Sequence, residues 1–450
     1  MVPTSNEKSS DFMKGLVIIG VVCLARKTFD FEAAREIYKR IQQDLKKVEN
    51  VTFEFIDDLV IEIPDAENAA QRLSTKHLDG LILIAGTFHL GHLALVINKA
   101  VKKPILLWGL NELPYNGGKI RLNSVCGINL DASNLYKAGT RDYHVTIGDT
   151  VDEDWIDAMR IKHAFATARI GIAGYRAHGF FNLDVDEPDL YRATGVLIDH
   201  FELTNIFDMN VTVEQVTEKR KRIQKTFTTS ALNKDQIEKV SILTAKIDAF
   251  LSKNNLTALA IRCWPEFAES FGIAPCGAMS LLQSEHKILA CEGDILGAMS
   301  MLAHVAMGAE TPFLADFSQV NFKENFAILW HCGVAPCNLW DGTCDRSLET
   351  YHAGGKGITA DMVLKAGNVS IMRIDYCPEG YRIFVQEARA VPMTKDLKGT
   401  YAKAVFDGNV RDVLDKIVMN GIAHHVSVVY GKFIKPIEIL ARLQGWALIK

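Results

Sequence analysis

The ten-residue run LVIIGVVCLA at positions 16–25 carries no charge and almost no polar atom. It is far too short for a bilayer span, which needs about 20 apolar residues. Acids as well as lysines precede it and no small-x-small cleavage pattern follows, so it does not read as a signal-peptide core. A stretch apolar at every position, rather than every second one, is the pattern of a parallel strand buried on both faces. Similar runs recur at 81–85 and 105–108, separated by helix-like segments. Asp30 is placed to cap the first of these, with Phe31, Ala34, Ile37, Ile41 and Leu45 on its apolar face. The alternation predicts a flavodoxin-like, doubly wound domain over residues 1–165. Ligands of such sheets sit outside the carboxyl ends of the strands. There the sequence places Arg26, Phe88 and His89, a polar and aromatic rim suited to a sugar.

The βα pattern resumes with expected strands at 169–173, 196–201 and 258–263, and predicts a second α/β domain over 166–310. After Trp340 the pattern changes. A loop rich in Gly, His, Asp and Arg covers 341–357, and strand-like alternation follows at 369–374 and 381–387, predicting a β-rich domain over 311–450. The fold class is therefore α/β: two doubly wound parallel-sheet domains and a β-rich C-terminal domain.

Net charge is −4, with a pI near 6.4, which gives no electrostatic footprint for nucleic acid. The basic run at 219–222 lies beside Glu214 and Glu218 and reads as a solvated helix face. There is no GxGxxG or Walker loop for a nucleotide, and no long apolar stretch for a membrane. Nine cysteines, an odd number without CxxC pairs, fit a reducing cytoplasm better than a disulfide framework.

The chemistry gathers in residues 289–333, with CEGD at 291–294, PFLADF at 312–317 and LWHCG at 329–333. Glu292, Asp316 and His331 are expected where apolar elements end. A lone charge buried there costs several kcal/mol, on the order of 2–7 even for a neutral polar group. A divalent metal is the simplest counter-charge for carboxylates with imidazole. His424 and His425 form a second pair near the C-terminus. If both enter a strand, their rings point to opposite faces and only one reaches a metal.

These three segments, in this order and preceded by Arg262-Cys263-Trp264-Pro265-Glu266, resemble the L-fucose/L-arabinose isomerase superfamily, and are most similar to its shorter fucose-isomerase-like members. The resemblance implies a barrel-like C-terminal domain. It implies Mn²⁺, with Mg²⁺ or Co²⁺ as substitutes, held by Glu292, Asp316 and one of His424 or His425. His331 resembles the further histidine ligand of the arabinose-isomerase branch. Trp264, Trp330 and Trp340 stand beside these segments as candidates for binding substrate. Trimers or hexamers are implied, in which one subunit's N-terminal domain completes a neighbour's site.

An aldose–ketose isomerase moves a proton between C1 and C2 of an open-chain sugar. Two carboxylates can serve as base and acid, and a divalent cation polarises the carbonyl. Glu292 and Asp316 take these roles. The resemblance implies an aldose such as L-fucose or L-arabinose, or the same chemistry on an anionic, for example sulfonated, sugar. A sulfonate needs fixed cations, and Arg26, Lys27, Arg176, Arg346 and Lys356 lie in candidate loops. A non-catalytic sugar-binding or regulatory protein is the alternative of another class, needing neither Glu292 nor Asp316. A hydrolase or aldolase on the same ligands is a third, since ligands alone do not set the reaction.

Overall fold

The runs that are apolar throughout form parallel strands with both faces covered. The computed structural model describes residues 14–450. Its first sheet contains β1 (Val17–Leu24), β2 (Val51–Phe55), β3 (Gly80–Ala85), β4 (Ile105–Gly109) and β5 (Tyr143–Ile147). They lie in the order β2-β1-β3-β4-β5, all parallel, the flavodoxin order. β3 and β4 are buried along their whole length. Asp30 caps the helix Phe31–Leu45 by accepting from the Ala33 amide, as the sequence predicts.

A second parallel sheet follows, made of β6 (Arg169–Ala173), β7 (Leu197–Phe201), β8 (Ala258–Ile261) and β9 (Ile288–Cys291) in the order β7-β6-β8-β9. The remainder is mostly β: β10 (Phe313–Asn321), β11 (Phe326–His331), β12 (Ser347–Glu349), β13 (Thr359–Val363), β14 (Gly367–Cys377), β15 (Gly380–Val391), β16 (Thr400–Val405), β17 (His425–Tyr430) and β18 (Ala447–Ile449). β16, β11, β10, β17, β14 and β15 pair antiparallel in that order, and β15 pairs back onto β16. The ring is therefore a closed six-stranded barrel, which leaves no free edge among its members.

The chain divides into two compact units. One holds the first sheet and residues Lys435–Trp446; the other holds the second sheet and the barrel. Within the second unit the helix Ile295–Ala306 packs against β8 and β9 on one side and β14 and β17 on the other. It is apolar nearly all round, as a helix clamped between two sheets must be.

Two local expectations are revised. Asp316 lies inside β10, not at a strand end, because pairing continues to Asn321 past a bulge between Phe317 and Gln319. The basic run at 219–222 is not wholly solvated. Lys219 is buried, with its ammonium 2.8 Å from Asp248 and 2.7 Å from Glu285, so two carboxylates offset its desolvation.

Candidate active site

The site is assembled where the carboxyl end of β9 meets one rim of the barrel. Glu292 follows β9 directly and adopts a left-handed backbone, φ 64°. Gly293 follows at φ 76°, and a β-carbon there would collide with the backbone of Tyr175 and Arg176. The Glu292 carbonyl accepts from the Ala177 amide at 3.0 Å. Strained backbone of this kind persists only where surrounding contacts hold it, and it concentrates at functional sites. Asp294 then caps the helix Ile295–Ala306, accepting from the Gly297 amide at 2.8 Å.

Three barrel strands bring the remaining groups. Asp316 on β10 is the cross-strand neighbour of His425 on β17 and of Trp330 on β11. His331 ends β11, and its ring stacks on His425 at 5.5 Å between centroids. His425 Nε2 lies 3.4 Å from Glu292 Oε2 and 3.6 Å from Asp316 Oδ1. His424 Nε2 lies 3.3 Å from Glu292 Oε2. Both histidines therefore reach Glu292, contrary to the opposite-face expectation. Strand pairing begins only at His425, so His424 is outside the pleat.

Hydrogen bonds fix which nitrogen of each ring is free. His425 Nδ1 is 2.9 Å from Asp294 Oδ2. Burial pushes the Asp294 carboxyl up, but the adjacent Arg373 guanidinium and His425 outweigh it and hold it well below the usual carboxylate range. An ionised Asp294 only accepts, so His425 donates from Nδ1 and its other nitrogen, Nε2, is the one turned toward Glu292 and Asp316. His331 is the reverse. Its Nδ1 accepts the Cys332 amide at 2.8 Å, which places the ring proton on Nε2 and argues against an imidazolium–thiolate pair with Cys332. His424 Nδ1 is met by the Asn182 amide nitrogen at 3.1 Å, so its Nε2 donates to Glu292.

Three of these atoms are buried without a hydrogen-bond partner among the described residues: Asp316 Oδ1, His331 Nε2 and His425 Nε2. Each such orphan costs about 1–3 kcal/mol, and together they mark a place shaped for something else. Ligand atoms of Glu292, His424 and His425 lie within 4.8 Å of one another, as do those of Asp316, His331 and His425. Burial raises the Glu292 carboxyl, yet its surroundings, first among them the His424 hydrogen bond, bring it below its ordinary value.

Glu292, Asp316 and His331 face a cavity of about 700 Å³, lined also by Trp264, Trp330, His352 and Lys356. Trp340 is not on its wall. It donates to the Cys344 carbonyl at 2.9 Å and lies under the Arg346 guanidinium, 4.7 Å from its ring. Of the expected cations, Arg346 is engaged by the carbonyls of Thr226 and Cys337, and Arg176 is paired with Asp184. In the other unit, Arg26 and Phe88 lie on the rim of the first sheet, with Phe88 5.8 Å from Phe29 between ring centroids. His89 faces inward. It is fully buried and bonded through both ring nitrogens, to the Thr87 carbonyl and to Asp131, each at 2.9 Å, so it positions the loop rather than meeting a ligand. Asp294 and Arg373 were not candidates from sequence. The readable signal was Arg373, a charge in the apolar run of β14 that requires a buried partner.

Residues 20–173 match the sequence profile described as fucose/sulfoquinovose isomerase, N-terminal domain. The chain is 27% identical over 432 residues to proteins named sulfoquinovose isomerase from Priestia megaterium and Priestia aryabhattai, covering 94% of this chain and 96% of each relative. It is 27% identical over 435 residues to one from Alkalicoccus urumqiensis, covering 93% of this chain and 96% of that relative. No helix among the described residues is long and apolar enough to cross a membrane. The matched N-terminal domain and the likeness to these relatives over nearly the whole chain place it in the fucose/sulfoquinovose isomerase superfamily.

Proposed function

We propose that this protein is an aldose–ketose isomerase that acts on a sulfonated aldose, sulfoquinovose. One observation carries the reading: the orphaned His425 Nε2 and Asp316 Oδ1 converge with Glu292 beside one cavity, in a chain that matches sulfoquinovose isomerases over nearly their whole length. A simple alternative aldose such as L-fucose fits less well, because the relatives are named for an anionic sugar.

Glu292, Asp316 and His425 would hold a divalent cation. Two carboxylate oxygens and one imidazole suit Mn²⁺, and also admit Mg²⁺ or Co²⁺. When bound, such a cation polarises the sugar carbonyl and stabilises charge on the neighbouring oxygen. The protein's own groups do the rest. One carboxylate, as base, takes the C2 proton, the O2 hydroxyl proton passes to O1 through the enediol, and the other carboxyl, as acid, returns a proton at C1. Glu292 is kept ionised for this chiefly by the hydrogen bond from His424. His331 points an N–H into the cavity from its buried ring and serves as donor to a sugar oxygen, not as a metal ligand. His424 orients Glu292 by donating to it.

Trp264 and Trp330 offer apolar faces to the sugar ring. Among the described residues lining the cavity, Lys356 is the one lysine or arginine, and no carboxylate claims it. It is the counter-charge we assign to the sulfonate. A homo-oligomer, trimer or hexamer, and a cytoplasmic location belong to the same proposal; the unpaired cysteines support the second, and light scattering measures the first.

The test is conversion of sulfoquinovose to its ketose by protein stripped with chelator, before and after Mn²⁺ is restored. Turnover that returns with the metal is the expected result. Full turnover without divalent metal, or none with it, contradicts the reading.

A further inference from the structure

The proposed mechanism uses none of the four cysteines gathered at the site, of which Cys263, Cys276 and Cys332 line its cavity. Cys263 lies just past β8, Cys291 ends β9, Cys332 follows β11 and Cys276 opens the helix Cys276–Ser284. All four are buried. Cys263 Sγ is 2.9 Å from Cys291 Sγ, and Cys276 Sγ is 3.6 Å from Cys332 Sγ. Among the described residues, no three of these sulfurs lie mutually within 4.8 Å, so they form an open row and not a thiolate cage for a metal.

The Cys263–Cys291 pair differs from an ordinary pair of core thiols in two ways. Its sulfurs are already within about 1 Å of bonding distance. Its two residues sit at the carboxyl ends of adjacent parallel strands, where Ile261 is in register with Cys291. Cys263 also lines the cavity, so a small oxidant that enters by the substrate's route meets it. Cys291 is bonded to Glu292, whose left-handed backbone leaves little freedom to absorb a shift.

We propose that Cys263 and Cys291 are a modification site: a thiol pair that closes to a disulfide under peroxide and displaces Glu292, switching the site off. One thiol sulfur attacks hydrogen peroxide, the O–O bond breaks, and a sulfenic acid and one water result. The second sulfur attacks that sulfenic sulfur and releases a second water. Two thiols and one peroxide thus give one disulfide and two waters, with the two electrons passing from sulfur to oxygen. A dithiol reverses the step. The loss of activity rests on the reading of Glu292 as a site carboxylate; the disulfide itself does not.

The experiment treats the full-length, Mn²⁺-loaded protein with hydrogen peroxide and maps peptides without reduction. The expected result is a linked pair containing Cys263 and Cys291, with at least a tenfold loss of turnover that dithiothreitol restores. The ratio of treated to untreated activity is then measured within Cys263→Ala and, as a second variant, Cys291→Ala. In both, the reversible loss should fall to less than twofold. A linked Cys276–Cys332 peptide in place of the expected one, no linkage at all, or an undiminished reversible loss in the variants overturns the proposal. Linkage without loss of turnover overturns the switch. If the untreated protein has no isomerase activity, the isomerase reading fails, while the peptide map still decides the disulfide.

Discussion

His425 Nδ1 lies 2.9 Å from Asp294 Oδ2, and the same carboxylate pairs with Arg373; all three side chains are almost wholly buried. This chain of contacts orients the imidazole and turns its outward nitrogen toward Glu292 and Asp316. Asp294→Asn should weaken Mn²⁺ binding by about 10–100-fold, the usual effect of losing such an orienting carboxylate. It should also cost about 3 kcal/mol of stability, because the buried Arg373 is left with only its longer contact, 3.8 Å, to Asp375. Calorimetric titration and urea unfolding measure the two effects separately.

The ring tautomers separate His425 from His331. His425→Gln should abolish Mn²⁺ binding in the measurable range. His331→Gln should leave Mn²⁺ affinity within about threefold, under 1 kcal/mol, while kcat falls by about 10²-fold or more, the loss expected of a missing proton donor. Comparable metal loss in both variants would return His331 to the ligand set.

Lys356 is expected to act on the anion alone. Lys356→Met should raise KM for sulfoquinovose about tenfold or more, a loss of at least ~1.4 kcal/mol for one charge-assisted contact. The weaker turnover of an uncharged aldose should not change. Equal effects on both sugars would assign the sulfonate elsewhere.

His304 gives a pH dependence away from the chemistry. It is fully buried, with Nδ1 2.9 Å from Ser427 Oγ, and burial pushes its pKa down to about 3. The unfolded chain titrates near 6.5. Between these values the unfolded state binds the extra proton, so stability falls as pH drops from about 6.5 toward 3. Relative to His304→Asn, the native protein should lose about 2 kcal/mol more between pH 7 and pH 5. Urea unfolding at the two pH values tests it.

The strands β1, β3 and β4 were legible because each is apolar at nearly every position, whereas β5, Tyr143–Ile147, mixes polar with apolar residues and was not. Glu292 and Asp316 were legible because charge interrupts apolar segments there. The closure of the barrel was not, since the pairing of β15 with β16 joins residues whose local pattern says only that each is a strand. Nor was the inward turn of His89, which depends on Asp131 forty-two residues later. Choosing among His331, His424 and His425 required the partners of their other nitrogens, and these come from Cys332, Asn182 and Asp294, contacts that no spacing encodes.

The most direct test of the central claim is isomerisation of sulfoquinovose in D₂O by the Mn²⁺-loaded protein, with Glu292→Gln and Asp316→Asn alongside. The account predicts deuterium at C2 of recovered aldose or C1 of the ketose, and loss of both exchange and turnover in each variant. Ketose formed by either variant at the native rate would contradict it.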